Sequence, residues 1–377
     1  MSSFNSSPRI PFLDLNRLNN RFQEEINCAI KNVLHSSNFI LGEQLNLFEK
    51  EFAEFNGANF CTGVGSGLDA LTFLLLAAGI KKGDEVIVPS HTFIATWLSI
   101  SNIGAVPVGV EPHEMTYNID PCKIQEKITT KTKAIVVVNL YGQLANIEPI
   151  KDIAKSNNLY LFEDAAQSHG AKYKNKHSIY FSDGIATSFY PGKNLGCMGD
   201  GGAVITNNEI FEKKIKLLRN YGSIKKYHHV FEGYNSRLDE IQASILRVKL
   251  KYLKNMNKKR IEIAAYYKKH LVKYDLHLPE KHKDSDHVWH LFVIRIEKRQ
   301  DFINYLQKKG ISTLIHYPIP PHKQKCYEGK IKENFPITEK ICSQIVSLPI
   351  YPDMPKTHQE AVVLNIQKYF SDCNQYK

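Results

Sequence analysis

Lys193 stands in a segment that is unusual for a lysine. Residues 188–202 read SFYPGKNLGCMGDGG, so the lysine follows a β-rich run and precedes a glycine-rich loop. Most lysines are solvated surface groups, and this segment alone does not exclude that interpretation. A lysine amine whose pKa has been lowered can, however, attack a carbonyl carbon and form a Schiff base. Two other segments favour this second interpretation.

The first of these segments contains Asp164. Residues 160–163 predict a short strand, and Asp164 ends it inside the run LFEDAAQSHG. Ligands of open parallel sheets bind beyond the carboxyl ends of the strands. Asp164 is therefore positioned to contact a ligand, although a helix cap or an ion-pair partner is the alternative for this segment alone.

The second segment is rich in glycine. Residues 63–71 read GVGSGLDAL, where a β-rich run ends and a helix begins. Glycines let backbone N–H groups approach a ligand closely, and the start of a helix favours an anion. The spacing matches neither the dinucleotide fingerprint nor a Walker loop. An ordinary glycine turn explains this segment equally well when it is taken alone.

The three features in this order are those that pyridoxal phosphate requires. A lysine forms a Schiff base with the aldehyde, and a carboxylate such as Asp164 keeps the pyridine nitrogen protonated. Backbone donors at a helix start, with a hydroxyl such as Ser188, suit the phosphate. We therefore predict an enzyme that uses pyridoxal phosphate.

Strands and helices alternate around these segments. Strands are predicted at residues 85–89, 106–110, 134–139, 160–163, 185–189 and 203–206. Helical patterns lie between several of them, at residues 69–79, 95–104 and 147–157. This alternation predicts an α/β fold with a mostly parallel sheet that helices cover on both faces.

The second half of the chain has a different pattern. A long helical stretch covers residues 238–270, followed by a strand at 290–296 and helices near 301–309 and 338–346. We expect a large domain with an N-terminal arm over residues 1–250. A smaller α+β domain would follow over residues 251–377, joined to the first by a long helix.

Composition excludes several other classes of protein. The net charge of +11 is spread over amphipathic stretches without interleaved aromatic residues, so no nucleic-acid partner is expected. The seven cysteines are scattered without a C-x-x-C pair, and the histidines lack metal-site spacing, so no disulfide framework and no metal are expected. The longest apolar run, residues 71–80, is about half of the roughly 20 residues that span a bilayer. We expect a cytoplasmic protein with no membrane contact.

These motifs together resemble the DegT/DnrJ/EryC1/StrS family of sugar aminotransferases, from about Pro11 to Tyr351. The resemblance implies the aspartate-aminotransferase fold, which is fold type I of the pyridoxal-phosphate enzymes. It also implies that Lys193 forms the Schiff base and shuttles a proton. Asp164 would pair with the pyridinium nitrogen, and Gln167 would hydrogen-bond the ring hydroxyl. Phe93, in SHTF, would stack on the cofactor ring.

The resemblance also implies how the phosphate is held. Gly67 and Leu68 would give backbone N–H groups, and Ser188 its hydroxyl. Many family members have Thr or Ser where this chain has Leu68, so one side-chain hydroxyl is missing. Asn235, in GYNSRLDEIQA, would reach the phosphate in the neighbouring subunit, which implies a homodimer with two shared active sites.

The pattern is most similar to the branch that aminates 3-keto-6-deoxyhexoses linked to dTDP, with L-glutamate as the amino donor. That branch implies substrate contacts at Tyr190, Lys226, His316 and Tyr317. Each of the four could also be a packing or loop residue. Arg237 is a further candidate, either for a substrate carboxylate or for a structural ion pair.

Several alternatives stay open at this point. The same residues could aminate carbon four of the sugar or a cyclitol, and the chain could be a regulator that binds the cofactor without catalysis. A sugar dehydratase fits less well, because the known one in this family has histidine in place of the lysine. The motifs do not determine the sugar's configuration at carbon four, nor do they separate dTDP from UDP.

Overall fold

The computed structural model describes residues 9–374 of the chain. The α-helices in this range are α1 (Leu15–Asn20), α2 (Gln23–Ser36), α3 (Glu43–Phe55), α4 (Gly67–Ala77), α5 (Ile94–Ser101), α6 (Ile147–Ser156), α7 (Glu209–Leu218), α8 (Glu240–Leu250), α9 (Leu253–Leu271), α10 (Arg299–Lys308), α11 (Pro336–Gln344) and α12 (Lys356–Asn374). The strands are β1 (Phe60–Val64), β2 (Glu85–Pro89), β3 (Val106–Val110), β4 (Thr132–Val138), β5 (Tyr160–Asp164), β6 (Lys172–Tyr173), β7 (Lys176–His177), β8 (Gly184–Ser188), β9 (Gly202–Thr206), β10 (Ser223–Lys225), β11 (His228–His229), β12 (Phe292–Arg295) and β13 (Ile345–Leu348).

Seven strands form the central sheet, in the order β1-β9-β8-β5-β4-β2-β3. Five neighbouring strands, from β8 to β3, run parallel, whereas β9 is antiparallel to both β8 and β1. Parallel neighbours need a crossover, usually a helix, and the loop between β8 and β9 contains no helix. The reversal of β9 therefore follows from its connection. The predicted α/β class with a mostly parallel sheet is confirmed.

The strands of this sheet are apolar because both of their faces are covered. β4 and β9 are buried at nearly every position, as expected for strands between two helical layers. Helix α4 packs on β8 and β9 and is itself buried on most sides, from Ala70 to Leu75. Its N-terminus is consequently fixed at one edge of the sheet.

The C-terminal part has its own apolar core around the β12–β13 pair. Tyr267 of α9, Phe292 of β12 and Phe302 of α10 are fully buried there. The single long helix predicted for residues 238–270 is wrong: α8 and α9 are separated by a turn at Lys251–Tyr252. Since α9 packs into both cores, the domain boundary near residue 250 stays a prediction.

The other predicted elements differ from the structure mainly at their ends. β2 and β3 have the predicted bounds, whereas the helix predicted to reach residue 346 stops at Gln344. Residues 345–348 instead pair with β12 as an antiparallel strand, which overrides their local helical pattern. Within residues 9–374, no helix is both long and apolar enough to cross a membrane.

One carboxylate ties the N-terminus of α3 to α8. Glu240 is 2% exposed and accepts backbone N–H groups from Gly42, Gln44 and Leu45 at 2.8–2.9 Å. Helix α3 has Gly42 as its N-cap residue and no side-chain cap of its own. A negative charge at a helix start is favourable, so Glu240 supplies the cap from another element.

We predict that Glu240→Gln lowers the free energy of unfolding by about 1–3 kcal/mol. The side-chain amide of glutamine has the shape of the carboxylate, but one of its two oxygens is replaced by an NH2 group. At least one of the three backbone N–H groups then faces another donor and loses its acceptor. Urea unfolding measures the change. Glu262→Gln, on the exposed face of α9, is the matched control and should change the value by less than about 0.5 kcal/mol. Equal stability of wild type and Glu240→Gln would contradict the prediction.

Candidate active site

The carboxyl ends of the parallel strands open into one large cavity of about 1230 Å³. Strands β2, β4, β5 and β8 run in the same direction, so the residues that follow them meet at one edge of the sheet. Ten of the predicted site residues line this cavity, namely Gly67, Leu68, Phe93, Asp164, Gln167, Ser188, Tyr190, Lys193, His316 and Tyr317. The sheet thus brings together segments from Gly67 to Lys193, and His316 and Tyr317 join them from the C-terminal part of the chain.

Asp164 is held at the end of β5 by two donors. The Thr96 hydroxyl donates to Oδ2 at 2.8 Å, and the backbone N–H of Ala166 donates to Oδ1 at 3.1 Å. Burial raises the pKa of Asp164, whereas these two hydrogen bonds and the nearby Lys193 lower it. The site therefore contains a carboxylate whose charge is supported by fixed donors and which has little contact with water.

Lys193 lies in a turn after β8, with its backbone N–H bonded to the carbonyl of Tyr190 at 2.9 Å. Its amine makes no hydrogen bond or ion pair with any of residues 9–374. Burial lowers the pKa of Lys193 to about 8, against an opposing effect of Asp164. A sizeable fraction of this amine is consequently neutral near physiological pH, which is the nucleophilic form.

The N-terminus of α4 forms a cradle beside Ser188. Ser66 caps this helix by accepting the N–H of Asp69 at 3.1 Å. The N–H groups of Gly67 and Leu68, which come before it, have no acceptor in the described part of the chain. A methyl group at Gly67 would lie 2.6 Å from Cβ of Ser188, so glycine is needed for this close approach. Two free N–H groups and a hydroxyl here can bind an anion.

Gln167 is oriented by its neighbours. Its Oε1 accepts the backbone N–H of Tyr141 at 2.6 Å, and its Nε2 donates to the hydroxyl of Tyr317 at 3.1 Å. The bond from Tyr141 fixes the orientation of the amide, so the second N–H of Nε2 can donate to a ligand oxygen. The ring of Phe93 lies 5.1 Å from that of Tyr317 and is half exposed toward the cavity.

His316 and Tyr317 also line the cavity. Nδ1 of His316 bonds the hydroxyl of Ser347 at 2.8 Å, and Tyr141 donates its hydroxyl to the carbonyl of His316. Burial lowers the pKa of His316 to about 4, with Lys193 acting in the same direction. Burial also raises the pKa of Tyr317. Both side chains are therefore uncharged at neutral pH and can take part in neutral hydrogen bonds.

Three predicted site residues do not reach this cavity. Lys226 is exposed in the turn between β10 and β11, beside the ring of Tyr227, and Asn235 is also exposed. Arg237 donates to the side-chain oxygen of Asn220 at 2.9 Å and lies over the ring of Tyr221. Within one chain, Arg237 is therefore engaged with other residues outside the cavity.

Sequence reasoning missed other residues of the site. Thr96, which holds Asp164, follows Phe93 by one helical turn, and that spacing was an available signal. Arg260 and His290 line the cavity, although Arg260 lies in the lysine-rich run NMNKKRIEI, which reads as a solvated helix face. No sequence signal separated this buried arginine from its exposed neighbours.

The donors in this cavity fit pyridoxal phosphate. Lys193 offers an unpaired amine, Asp164 a buried carboxylate, and the start of α4 two free N–H groups. Among residues 9–374, no cluster of three His, Cys, Asp or Glu side chains is arranged to hold a metal ion. The six cysteines whose side chains are described are free thiols; the side chain of Cys373 lies outside the described part.

Comparison with known proteins identifies the family of this chain. The sequence model of the DegT/DnrJ/EryC1/StrS aminotransferase family matches residues 20–367. The dTDP-3-amino-3,6-dideoxy-alpha-D-galactopyranose transaminase of Aneurinibacillus thermoaerophilus is 54% identical over 96% of this chain and 99% of its own. The crystal structure of S. venezuelae DesV has a TM-score of 0.94 at 43% identity, covering 96% of this chain and 99% of its own. The ntda protein of Bacillus subtilis, crystallised with bound cofactor pmp, has a TM-score of 0.91 at 34% identity, covering 98% and 87%.

We predict that cofactor-free protein takes up pyridoxal phosphate at a rate that rises with pH through about 8. Only the neutral amine attacks the aldehyde, and burial has lowered the pKa of Lys193 from its ordinary value. Asp164→Asn should move the midpoint of this pH dependence to lower pH, because the Asp164 carboxylate raises the pKa of Lys193. Stopped-flow absorbance of the cofactor at constant ionic strength measures both effects.

The matched control is Asp200→Asn. Asp200 also lines the cavity but does not contribute to the pKa shift of Lys193, so its removal should leave the midpoint in place. A midpoint near the ordinary lysine value of about 10.4 in the wild type would contradict the prediction.

Proposed function

The chain belongs to the DegT/DnrJ/EryC1/StrS aminotransferase family, and from that membership we propose that it transfers the amino group of L-glutamate to a dTDP-linked 3-keto-6-deoxyhexose. It is an aminotransferase whose cofactor is pyridoxal phosphate. The product would be a dTDP-3-amino-3,6-dideoxyhexose. The observation that carries the proposal is the convergence of the Lys193 amine, the Asp164 carboxylate and the α4 N-terminus on one cavity.

The likeness to the Aneurinibacillus thermoaerophilus protein supports the choice of sugar. Its name gives a dTDP-linked 3-amino-3,6-dideoxy sugar as the compound of its transaminase reaction. The cavity of about 1230 Å³ exceeds the roughly 300–1,000 Å³ of ordinary small-molecule pockets. It therefore has room for a cofactor and a nucleotide-linked sugar together.

In this proposal Lys193 and Asp164 are the catalytic residues. When bound, pyridoxal phosphate withdraws electrons from the α-carbon of the amino donor and thereby makes its proton acidic. Asp164, with its charge supported by Thr96 and Ala166, keeps a proton on the ring nitrogen. Lys193 removes the proton from the donor's α-carbon, and later returns a proton at carbon three of the sugar. Its lowered pKa suits both transfers near neutral pH.

Other residues of the cavity would bind and orient the cofactor. Gly67 and Leu68 would donate their free N–H groups to the phosphate, together with the hydroxyl of Ser188. Nε2 of Gln167 would donate to the ring hydroxyl, because Oε1 is held by Tyr141. Phe93, half exposed on the cavity wall, would stack on the ring.

The sugar would lie between Tyr190, His316 and Tyr317, which line the cavity. His316 and Tyr317 are uncharged at neutral pH and are held by Ser347 and Gln167, so they can hydrogen-bond sugar hydroxyls without repelling or attracting a net charge. Arg237 contacts Asn220 and the ring of Tyr221 outside the cavity of its own chain. It therefore stays a candidate only for a role outside that cavity.

We further propose a homodimer in which each site is completed by the other chain. Asn235 and Lys226 are exposed and away from the cavity of their own chain. Asn235 of the partner subunit would donate to the phosphate, and Lys226 of the partner subunit would neutralise the diphosphate of the nucleotide. A location in the cytoplasm belongs to the same proposal, because the described cysteines are free thiols and reduced thiols are typical of that compartment.

We predict that wild-type protein converts dTDP-3-keto-6-deoxyhexose and L-glutamate into the 3-amino sugar, and that Lys193→Ala forms none. The variant lacks both the amine that anchors the cofactor and the group that moves the proton, losses that together cost several orders of magnitude in rate. Mass spectrometry of the nucleotide sugar detects the product.

The assay also separates the alternatives. Conversion of a 4-keto sugar or a cyclitol instead would keep the transamination but replace the substrate. Cofactor binding with no conversion of any of these ketones would overturn the proposed substrate class and favour a regulator. Parallel assays with UDP-linked and dTDP-linked sugars of both configurations at carbon four identify the nucleotide and the sugar.

We predict that two inactive variants restore activity when their subunits are mixed. In a heterodimer of Lys193→Ala and Asn235→Asp, one site carries both substitutions and the other carries neither. Random pairing should therefore return about a quarter of wild-type activity, measured after reversible dissociation or co-expression. A mixture that stays inactive although mass spectrometry detects heterodimers would contradict shared sites.

A further inference from the structure

Arg260 is a buried cation on the wall of the catalytic cavity, and no carboxylate pairs with it. Its side chain leaves α9 and is 2% exposed. Its Nη1 donates to the backbone carbonyls of Trp289, His290 and Ile350, at 3.3, 3.2 and 2.9 Å. Among residues 9–374, it makes no ion pair, and Nε and Nη2 have no acceptor.

This arrangement is unusual because a buried charge normally has a partner of opposite sign. Two other buried arginines of this chain follow that rule: Arg219 pairs with Glu49, and Arg295 lies 3.5 Å from Glu114. Burial lowers the pKa of Arg260 to about 9, so its guanidinium is still charged at neutral pH. The chain therefore places an uncompensated positive charge at the site.

Arg260 lines the same cavity as the reactive amine, together with His290. Both Arg260 and Lys193 lie near His290, because each of them lowers the pKa of His290 in addition to the effect of burial. The phosphate cradle is a different part of the cavity, formed by Gly67, Leu68 and Ser188. An anion bound at Arg260 would therefore be a second anion in this cavity, in addition to the phosphate.

We propose that Arg260 binds a carboxylate of the amino donor, an inference that rests on the proposed function. A guanidinium N–H forms a strong, charge-assisted hydrogen bond with a carboxylate oxygen. Every hydrogen bond that Arg260 makes among residues 9–374 uses Nη1, so Nη2 is free to donate to such an oxygen. The uncharged imidazole of His290, bonded to Asn194 at 3.2 Å, lies near both Arg260 and Lys193. A carboxylate held by Arg260 would therefore place the donor's amino group in the cavity that contains the reactive amine. Both L-glutamate carboxylates have this chemistry.

The test separates the two halves of the reaction. Protein loaded with pyridoxal phosphate is mixed with L-glutamate alone, and protein loaded with pyridoxamine phosphate is mixed with the keto-sugar alone, both followed by cofactor absorbance. In Arg260→Met, the concentration of L-glutamate that half-saturates the reaction with pyridoxal phosphate should rise roughly 30- to 100-fold. The sugar half should change by less than about two-fold. Because the glutamate half uses no sugar, it reports on Arg260 even if the proposed sugar is wrong.

Two further variants keep the test decisive. Arg295→Met removes a buried arginine outside the cavity and should leave the glutamate half unchanged. If Arg260→Met does not fold, Arg260→Lys keeps the charge but lacks the planar fork, and it should still weaken glutamate binding by about ten-fold. Calorimetry with glutarate, which cannot react, should give a matching loss of affinity.

The choice of donor identifies which carboxylate is bound. If Arg260 binds the α-carboxylate, Arg260→Met should weaken the binding of L-glutamate and of L-glutamine equally. If Arg260 binds the side-chain carboxylate, the substitution should weaken the binding of L-glutamate only. An unchanged glutamate half, or an equal loss in both halves of the reaction, would overturn the proposal and leave Arg260 as a purely structural link between α9 and the segments at residues 289–290 and 350.

Discussion

The common direction of the parallel strands is the constraint on which this site depends. Because β2, β4, β5 and β8 all end at one edge, Phe93, Val138, Asp164 and Lys193 lie at or just after the ends of their strands and line the same cavity. If one of these strands ran in the opposite direction, its residue would lie at the other edge of the sheet. The reversed β9 contributes as well, since it starts at the same edge and brings Gly202 against Ser66 at the start of α4. The anion cradle is thereby packed into the sheet rather than left on a mobile loop.

Removal from water sets the protonation states in this space. It lowers the pKa of Lys193 to about 8 and that of His316 to about 4, and it raises that of Tyr317. Each of these shifts favours the uncharged form of its group, as burial does in general. Asp164 is subject to the same effect, but Thr96 and Ala166 support its ionised form. The site therefore combines one supported negative charge with neutral donors.

Arg260 is the exception to this pattern. It remains charged in a buried position where the chain offers it only backbone carbonyls. A carboxylate from the amino donor would supply the missing charge in the first half of the reaction and remove it again when the keto-acid leaves.

The sequence alone was sufficient for the fold class, for six of the seven strands of the sheet and for the cofactor, because these depend on local patterns. Hydrophobic runs of strand length gave β2 and β3 with their observed bounds, and the order of Gly67, Asp164 and Lys193 pointed to pyridoxal phosphate. Only the tertiary structure decided which charges are buried. Arg260 and the exposed lysines beside it share one local pattern, and the long-range contacts of α9 with residues 289–290 and 350 alone separate them. The same reason explains β13, whose residues continue a helical pattern but pair with β12 across more than 50 positions of the chain.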